Sequence, residues 1–446
     1  MVLRNMKPKI ILVPYPAQGH VTPMFHLALA FLRHHNDFEP VIVTPEHIHR
    51  KIHSLYEPNN GISFVPICDG LEADEPRNFF SINFAMENNM PAHLERIILS
   101  FGGRGGVACV VVDVLASWAV DVARRLGVQV AGFWPAMHAT FNLIAAIPEM
   151  VQQGLITEFG QIQPITIKAE ELPWLIGNPT ARKFRFSFWV RVMSRCSSLP
   201  YLLFNSFDPS EPSLQLHQQM PRFTNIPQVL LLGPLTSLVG MTKNPSFWDE
   251  DITCLSWLDK QQPGSVSYVS FGSWFGPDIG DDIIRELALG LKGTKRPFLW
   301  VLNNSSKVLN AFNEVDVALG KVVSWSPQRE VLRHEAIGCY LTHCGWNSIM
   351  EAIEECAKPL LCCPIAGDQF VNCRYVVKVW GIGERMERMR REEVERGVRS
   401  VMEGEGVEEM KRRMVELKER VLCSERVSRA KDCLADFAHQ ISINFN

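Results

Sequence analysis

Short apolar runs alternate with longer amphipathic segments along the first half of the chain. The runs cover residues 10–14, 41–44, 62–66, 107–113, 128–134 and 201–207. They are rich in Val and Ile, as strands buried on both faces of a parallel sheet are. The clearest helical pattern between them begins at Thr22-Pro23, where a capping residue precedes a proline at the first helical position. This half is therefore predicted to open with a βαβ unit.

The same alternation restarts in the second half. Its apolar runs cover residues 266–271, 298–302, 321–325, 339–343 and 360–364, and helical segments such as 281–291 separate them. Gly, Pro, Ser, Thr and Asn accumulate between the two series, in residues 233–247. The pattern predicts two doubly wound α/β domains, over residues 1–235 and 251–425, joined by a linker at 236–250.

The end of the chain is charged and helical. Val394, Val398 and Val401 recur at the spacing of one helix face, which predicts an amphipathic surface helix. A last helix is predicted over residues 426–446, and we expect that it could pack back on the N-terminal domain.

Composition narrows the class of protein. The 446 residues are 46% hydrophobic and 21% charged, with a net charge of −3, and no basic stripe favours nucleic acid. The longest apolar stretch, residues 106–120, contains Asp113 and is shorter than the roughly 18 residues of a membrane span. Twelve cysteines occur without a C-x-x-C pair. With no leader pattern at the start, we expect a cytoplasmic monomer with reduced thiols.

One αβ unit of the second half has the features of a phosphate site. Residues 339–343 form a predicted strand, and the following turn leads into a helix whose free N–H groups suit a pyrophosphate. Gly345 permits close approach, and His343, Asn347 and Ser348 offer side-chain donors. Ser348 and Glu351 also match a capping box, which stabilises a helix without any ligand.

Neighbouring strand ends add partners for a base and a sugar. Trp325 follows the predicted strand at 321–324, where its indole can stack on a base beside the amide of Gln328. Asp368 and Gln369 follow the next strand and suit vicinal sugar hydroxyls. Since no D-x-D pair stands in such a context, we expect no metal requirement and no cofactor.

A candidate catalytic pair lies in the first half. His20 ends the loop between the first strand and the first helix, and Asp113 ends the strand at 107–112. Histidine has an ordinary pKa near 6.5 and suits the deprotonation of a hydroxyl, while a carboxylate orients and stabilises the imidazole. Each residue taken singly is also typical of a helix cap or a surface group.

Several motifs resemble those of plant family-1 UDP-dependent glycosyltransferases. W-S-P-Q, H-x-A-I-G-C, T-H-C-G-W-N-S-x-x-E and P-x-x-G-D-Q, between Trp325 and Gln369, are similar to consecutive blocks of that family's donor-binding signature. P-x-P-A-Q-G-H-x-x-P-M, from Pro14 to Met24, resembles its opening motif. The resemblance implies the GT-B fold, in which two Rossmann-like doubly wound parallel-sheet domains face a cleft.

The resemblance also implies a role for each matched residue. Trp325 would stack on uracil, Gln328 would serve the base or ribose, and Glu351 would hold the ribose. His343, Asn347, Ser348 and Ser273 would bind phosphates, Trp346 would belong to the same UDP-sugar site, and Asp368 and Gln369 would hold the sugar, expected to be glucose. His20 would be the catalytic base, with Asp113 as its partner.

The implied activity is inverting transfer of the sugar to a hydroxyl of a small lipophilic acceptor, phenolic, terpenoid or hormone-like. Aromatic and Met residues of the first half are candidates for the acceptor pocket: Phe79, Phe80, Phe84, Met86, Met137, Phe141, Phe184, Phe186, Phe188 and Trp189. The alternative is a catalytically weak relative that binds nucleotide-sugars. It is motivated by Ala366, Pro135 and an extra residue in segment 353–359, where the chain departs from the family pattern. A nicotinamide dehydrogenase is disfavoured, because no G-x-G-x-x-G follows the first strand.

Overall fold

Two parallel sheets with helices on their faces make up the chain. The fold is taken from a computed structural model, which describes residues 7–55, 61–72, 74–161, 172–207, 227–240, 244–274, 281–302, 319–355 and 358–445. The first sheet contains seven strands and the second contains six, and within each sheet all neighbouring strands are parallel. The predicted doubly wound α/β class is confirmed.

The first sheet and its helices are built from residues before the linker. The strands are β1 (Lys9–Val13), β2 (Glu39–Pro45), β3 (Ser63–Ile67), β4 (Val107–Asp113), β5 (Gln129–Trp134), a hairpin of β6 (Ile156–Thr157) and β7 (Gly160–Gln161) outside the sheet, β8 (Tyr201–Phe204) and β9 (Gln228–Leu231). The helices are α1 (Gln18–His34), α2 (Glu46–Leu55), α3 (Phe79–Asn88), α4 (Met90–Ser100), α5 (Trp118–Arg125), α6 (His138–Ala145), α7 (Ile147–Gln152) and α8 (Pro179–Cys196).

The second sheet follows a short helix, α9 (Thr236–Val239). Its strands are β10 (Val266–Ser270), β11 (Phe298–Val301), β12 (Gly320–Val323), β13 (Ile337–Thr342), β14 (Leu360–Cys362) and β15 (Gly383–Arg385). The helices are α10 (Thr253–Leu258), α11 (Asp281–Gly293), α12 (Gln328–Arg333), α13 (Trp346–Glu355), α14 (Gln369–Arg374), α15 (Arg391–Glu403), α16 (Val407–Val421) and α17 (Ser424–Phe445).

Strand order locates the crevice of each sheet. The first sheet runs β3-β2-β1-β4-β5-β8-β9 and the second runs β12-β11-β10-β13-β14-β15. The chain therefore reverses its direction of winding between β1 and β4, and again between β10 and β13. Such a reversal leaves a crevice outside the carboxyl ends of the two central strands, where ligands of α/β proteins bind.

The start of the first helix corrects one prediction. The pattern predicts that it begins at Thr22-Pro23, but α1 begins at Gln18 and encloses Pro23. Gln18 explains the earlier start, because its amide donates to the Thr22 hydroxyl at 2.8 Å and to the Pro245 carbonyl at 2.8 Å. Contacts with a distant segment thus hold the first turn, which local capping rules do not anticipate.

The C-terminal helices pack in two places. Val394, Val398 and Val401 of α15 are fully buried against a cluster that includes Leu287 of α11. The last helix, α17, instead packs on the first sheet: the Phe437 ring lies 5.4 Å from that of Tyr201 and 6.1 Å from that of Phe31. The chain therefore returns to its first half at its end.

Candidate active site

The two crevices bring candidate residues of both halves to strand ends. β1 leads into the loop that carries His20, and β4 ends at Asp113. β10 is followed by Ser273, and β13 by His343. All four residues therefore lie at the carboxyl ends of the central strands, beside the point where winding reverses.

His20 and Asp113 form a direct hydrogen bond. Nδ1 of His20 lies 2.7 Å from Oδ2 of Asp113 and donates to it, because a carboxylate oxygen can only accept. The other oxygen of Asp113 accepts the backbone N–H of Leu115 at 2.9 Å. Asp113 is fully buried, whereas the His20 side chain is 22% exposed. The imidazole is thus oriented with Nε2 left to accept a proton.

Charges around His20 determine its protonation. Burial by itself lowers the pKa of His20, but the charge of Asp113, the hydrogen bond to it and the charge of Asp368 outweigh burial and raise that pKa above 6.5. Asp368 belongs to the second half and still lies close enough to influence His20. The predicted sugar-holding carboxylate therefore lies near the dyad.

The turn after β13 is shaped around His343. Cys344 adopts a left-handed conformation with φ 65°, and a Cβ added at Gly345 would collide with Nε2 of His343. Only glycine allows the turn to pass this close to the ring. Nδ1 of His343 is buried without a hydrogen-bond partner in the described part of the chain, and burial lowers the pKa of His343 to about 4. A neutral imidazole therefore stands at the start of α13.

Asn347 links this helix start to the loop of the dyad. Its Nδ2 donates to the carbonyl of Gly19 at 2.8 Å. In a regular helix that carbonyl would accept the N–H four residues later, but position 23 is proline and has none. Pro23 thus leaves the Gly19 carbonyl available, and Asn347 uses it. The two halves are tied together next to the candidate base.

Gln328 has every hydrogen-bonding position of its amide in use. Its Oε1 accepts from the hydroxyls of Tyr268 at 3.0 Å and Tyr340 at 3.2 Å. Its Nε2 donates to Glu351 at 2.6 Å and to Ser348 at 3.3 Å. In this structure Gln328 therefore orients Glu351, and its predicted contact with the base or ribose stays a prediction.

The environment of Glu351 changes its ionisation. Burial raises the pKa of Glu351 to about 7, although the hydrogen bond from Gln328 and the charge of Arg329 oppose this. The carboxyl group is thus held in a site that favours its neutral form more than water does.

Trp325 stands next to a second tryptophan. The rings of Trp325 and Trp248 are stacked, with centroids 4.5 Å apart and planes inclined by 30°. The Lys51 ammonium lies over the Trp248 ring, 5.7 Å from its centroid. One side of the predicted base platform is therefore supported by an aromatic ring of the predicted linker.

Asp368 and Gln369 are fixed differently. Oδ2 of Asp368 accepts from Asn372 Nδ2 at 2.9 Å, and the residue stays partly exposed. Gln369 is 1% exposed, and its Oε1 accepts the backbone N–H groups of Ile365 and Ala366 at 2.9 and 3.0 Å. These hydrogen bonds to its amide oxygen therefore hold the conformation of the loop that carries Asp368. The extra residue of segment 353–359 falls partly outside the described residues, since 356–357 are not among them.

Trp346 serves the contact between the halves. The residue is 4% exposed, its Nε1 donates to the carbonyl of Asn205 at 2.8 Å, and its ring lies 5.8 Å from that of Phe207. The structure therefore does not present the indole of Trp346 to a ligand, because packing and its N–H are both committed. Ser348 is 8% exposed, and Ser273 is exposed at the other side of the crevice.

A group of thiols lies next to the phosphate turn. The sulfur atoms of Cys344, Cys362 and Cys373 are buried and within 4.8 Å of one another. Burial raises the pKa of Cys344 and of Cys362 well above 9, so both are neutral thiols. Cys362 thus packs in the core.

Two residues of this site, Tyr15 and Asn372, are absent from the sequence-based predictions. Tyr15 has its ring 5.1 Å from that of His20, and Asn372 holds both Asp368 and, at 3.0 Å, the carbonyl of Cys344. Tyr15 stands within the opening motif, and Asn372 follows Asp368 by one helical turn. Spacing alone therefore offered a signal for both.

The chain resembles known proteins over most of its length. A family model described as UDP-glucoronosyl and UDP-glucosyl transferase matches residues 249–419. UDP-glycosyltransferase 82A1 of Arabidopsis thaliana is 47% identical, covering 94% of this chain and 96% of its own. Os79 of O. sativa in complex with UDP superposes with a TM-score of 0.79 at 25% identity, over 97% of this chain and 100% of that one. A UDP-glucosyltransferase of Polygonum tinctorium capable of glucosylating indoxyl superposes with a TM-score of 0.80 at 25% identity, over 98% of this chain and 99% of that one.

Among the described helices, none has the length and apolar character needed to cross a membrane.

Proposed function

Since the chain belongs to the plant family-1 UDP-dependent glycosyltransferases, GT-B enzymes that move a sugar from a UDP-sugar to an acceptor, we propose that it transfers glucose to a hydroxyl of a small lipophilic acceptor with inversion. The observation that carries the proposal is the His20–Asp113 hydrogen bond of 2.7 Å, with Asp368 acting on His20 from the other half. A base and a sugar-binding carboxylate on opposite sides of one crevice suit attack at an anomeric carbon.

The donor lies, in this proposal, along the ends of the second sheet. Trp325 stacks on uracil and Glu351 accepts from the ribose hydroxyls, oriented by Gln328. The start of α13 and the side chains of Ser273, His343, Asn347 and Ser348 bind the diphosphate. Asp368 holds the sugar, on the loop that Gln369 folds. Glucose is favoured by the Asp-Gln pair and by the glucosyltransferase from Polygonum tinctorium among the similar structures.

The chemical step is a single displacement. The acceptor oxygen attacks the anomeric carbon opposite UDP, its proton passes to Nε2 of His20, and the bond from that carbon to the UDP oxygen breaks. The electron pair of that bond leaves with UDP. The configuration at the anomeric carbon is inverted, so that the α-linked sugar of the donor becomes a β-glycoside of the acceptor. Asp113 stabilises the imidazolium until the proton returns to solvent.

Three effects lower the activation barrier of sugar transfer. General-base assistance contributes typically about 10² to 10⁴ in rate. Positioning of donor and acceptor, and stabilisation of the charge on departing UDP by the helix start and its donors, provide the remainder.

A screen of UDP-sugars against phenolic, terpenoid and hormone-like alcohols, read by mass spectrometry, tests the proposal. We expect a product heavier by one hexose with UDP-glucose, and loss of most turnover in His20→Ala. Unchanged turnover in that variant would overturn the role of His20. Tight UDP binding without UDP release from any donor would instead favour the binding-only alternative.

A further inference from the structure

Helix α8 carries arginines with different partners. Arg195 donates to both carboxylate oxygens of Glu87, at 2.8 and 2.9 Å, and pairs with Asp121 at 2.9 Å. Arg191 also reaches Glu87, at 3.1 Å. Their charges are therefore matched within the protein.

Arg185, nearer the start of the same helix, pairs with no carboxylate within the described part of the chain. Its guanidinium carbon lies 4.5 Å from the ring centroid of Phe79 and 5.4 Å from that of Phe80. Its Nε is buried without a hydrogen-bond partner among the residues that the structure describes, and no acidic side chain in that part of the chain pairs with it. Burial lowers the pKa of Arg185, yet a guanidinium stays charged at any cellular pH. A partly buried cation thus lies against aromatic rings, and its Nε–H is accepted by no described residue.

The position of Arg185 connects it to the dyad. Its charge and the hydroxyl of Tyr15 influence each other, and the Tyr15 ring lies 5.1 Å from that of His20. Helix α8 also packs against the turn Val114–Ala116, which directly follows Asp113. Arg185 therefore lies on the acceptor side of the candidate base, away from the phosphate-binding turn of the second sheet.

Aromatic rings beside Arg185 remain open to a ligand. Phe80 is 38% exposed and Phe184 is 36% exposed, and their rings meet at 5.1 Å. Cation–π contact with these rings stabilises the Arg185 guanidinium, but it gives Nε no hydrogen-bond acceptor among the described residues. A planar guanidinium matches a carboxylate with two parallel hydrogen bonds.

We propose that Arg185 binds the carboxylate of the acceptor, and that the acceptors are therefore hydroxy acids with a planar aromatic body that lies against Phe79, Phe80 and Phe184. The inference rests on the proposed function for the use of the acceptor's hydroxyl. It narrows the acceptor class from lipophilic alcohols in general to those carrying one anionic group at a distance from the reacting oxygen.

Binding of matched acid and ester probes tests this assignment without requiring turnover. Isothermal titration of UDP-saturated enzyme would use 4-hydroxycinnamic acid, 4-hydroxybenzoic acid and the methyl ester of each, so that two spacings are sampled. For at least one spacing we expect the acid to bind roughly 10- to 100-fold more tightly than its ester, the worth of a paired charged hydrogen bond. Arg185→Gln should abolish this ratio while ester affinity is retained.

Lys183→Gln provides the matched control, since it removes one exposed positive charge two positions away. It should keep the acid preference, and Arg185→Lys should keep part of it. Equal affinity of acid and ester in the unmodified enzyme, or an acid preference that survives Arg185→Gln, would overturn the inference. Transfer from UDP-glucose to the same probes is measured separately: acid binding through Arg185 without any transfer would contradict the proposed function and leave the binding site standing.

Discussion

At the scale of single residues, the dyad combines a fully buried carboxylate with an imidazole that is 22% exposed. Asp113 cannot turn away, because its second oxygen is held by the backbone of Leu115. The imidazole therefore keeps one tautomer, with its outer nitrogen toward the crevice. Orientation of the base is a property of two strand ends that meet in one sheet.

The raised pKa of His20 predicts the acid limb of the rate profile. Neutral His20 is the base, so activity is lost as pH falls through its pKa, and that limb should lie above pH 6.5 in kcat/KM. Asp113→Asn removes the main charge that raises this pKa, so we expect the limb to move to lower pH and kcat to fall about 10²- to 10⁴-fold. Asp121→Asn, on α5, serves as the control and should leave the limb in place.

The pKa of Glu351 predicts a change of stability with pH. Its folded-state pKa of about 7 lies above the ordinary 4.5, so between these values the folded protein holds a proton that the unfolded chain releases. The contribution of Glu351 to the free energy of unfolding therefore falls as pH rises through that window. Glu351→Gln should gain stability relative to the unmodified protein between pH 5 and pH 7.5, measured by urea unfolding.

The same variant should bind UDP roughly tenfold or more weakly, because the carboxyl group that accepts from both ribose hydroxyls is lost. Glu408→Gln, which replaces an exposed carboxylate on α16, provides the comparison and should change neither property. An equal stability difference at both pH values would contradict the role assigned to burial of Glu351.

At the scale of elements, a proline within α1 leaves one backbone carbonyl without its usual partner in the helix. Pro23 cannot donate to Gly19, and the freed oxygen accepts Nδ2 of Asn347 at 2.8 Å. The helix gives up one internal hydrogen bond, and the first turn beside His20 gains a contact with α13. A residue that normally interrupts helices thus joins the two halves.

Pro23→Ala should weaken the contact between Asn347 and Gly19 without lowering the stability of the protein. The new backbone N–H competes for the Gly19 carbonyl, so we expect kcat/KM to fall roughly fivefold, about the worth of one hydrogen bond, with no loss of stability. Steady-state kinetics and thermal unfolding are the measurements. A double-mutant cycle with Asn347→Ala should show coupling; additive losses in the cycle would mean that the two residues act independently.

At the scale of the whole molecule, several contacts join the two halves of the chain. Trp346 donates to Asn205, Thr236 of α9 donates to Glu354 at 2.8 Å, and α17 returns to the first sheet. The last helix buries Leu434, Phe437 and Ile441 there. The C-terminal helix therefore connects the two halves in addition to the linker.

Phe437→Ala tests how much this return contributes. Loss of a buried ring should lower the free energy of unfolding by about 3 to 5 kcal/mol, measured with urea. Ile443→Ala lies on the same helix, but its side chain is 54% exposed, and we expect a change within about 0.5 kcal/mol. Similar effects at both positions would show that α17 contributes by helix formation and not by packing.

Agreement between sequence and structure varies with the element. The run at residues 107–113 coincides with β4 (Val107–Asp113), because seven apolar or strand-end residues in series admit few alternatives. β9 (Gln228–Leu231) and β15 (Gly383–Arg385) were not predicted, since three or four residues at a sheet edge show no clear pattern. They form because a neighbouring strand pairs with them.

By itself, the sequence determined the alternation of strands and helices, and hence which polar residues stand at strand ends, because both depend on neighbours a few positions apart. The motifs between Trp325 and Gln369 and around His20 determined the family. Only the tertiary structure decided that Gln328 is occupied by two tyrosines and Glu351, that Trp346 faces Asn205, and that no described carboxylate pairs with Arg185 as Glu87 does with Arg191 and Arg195. Each of these facts depends on residues far apart in the chain, whose meeting is set by the packing of sheets and helices.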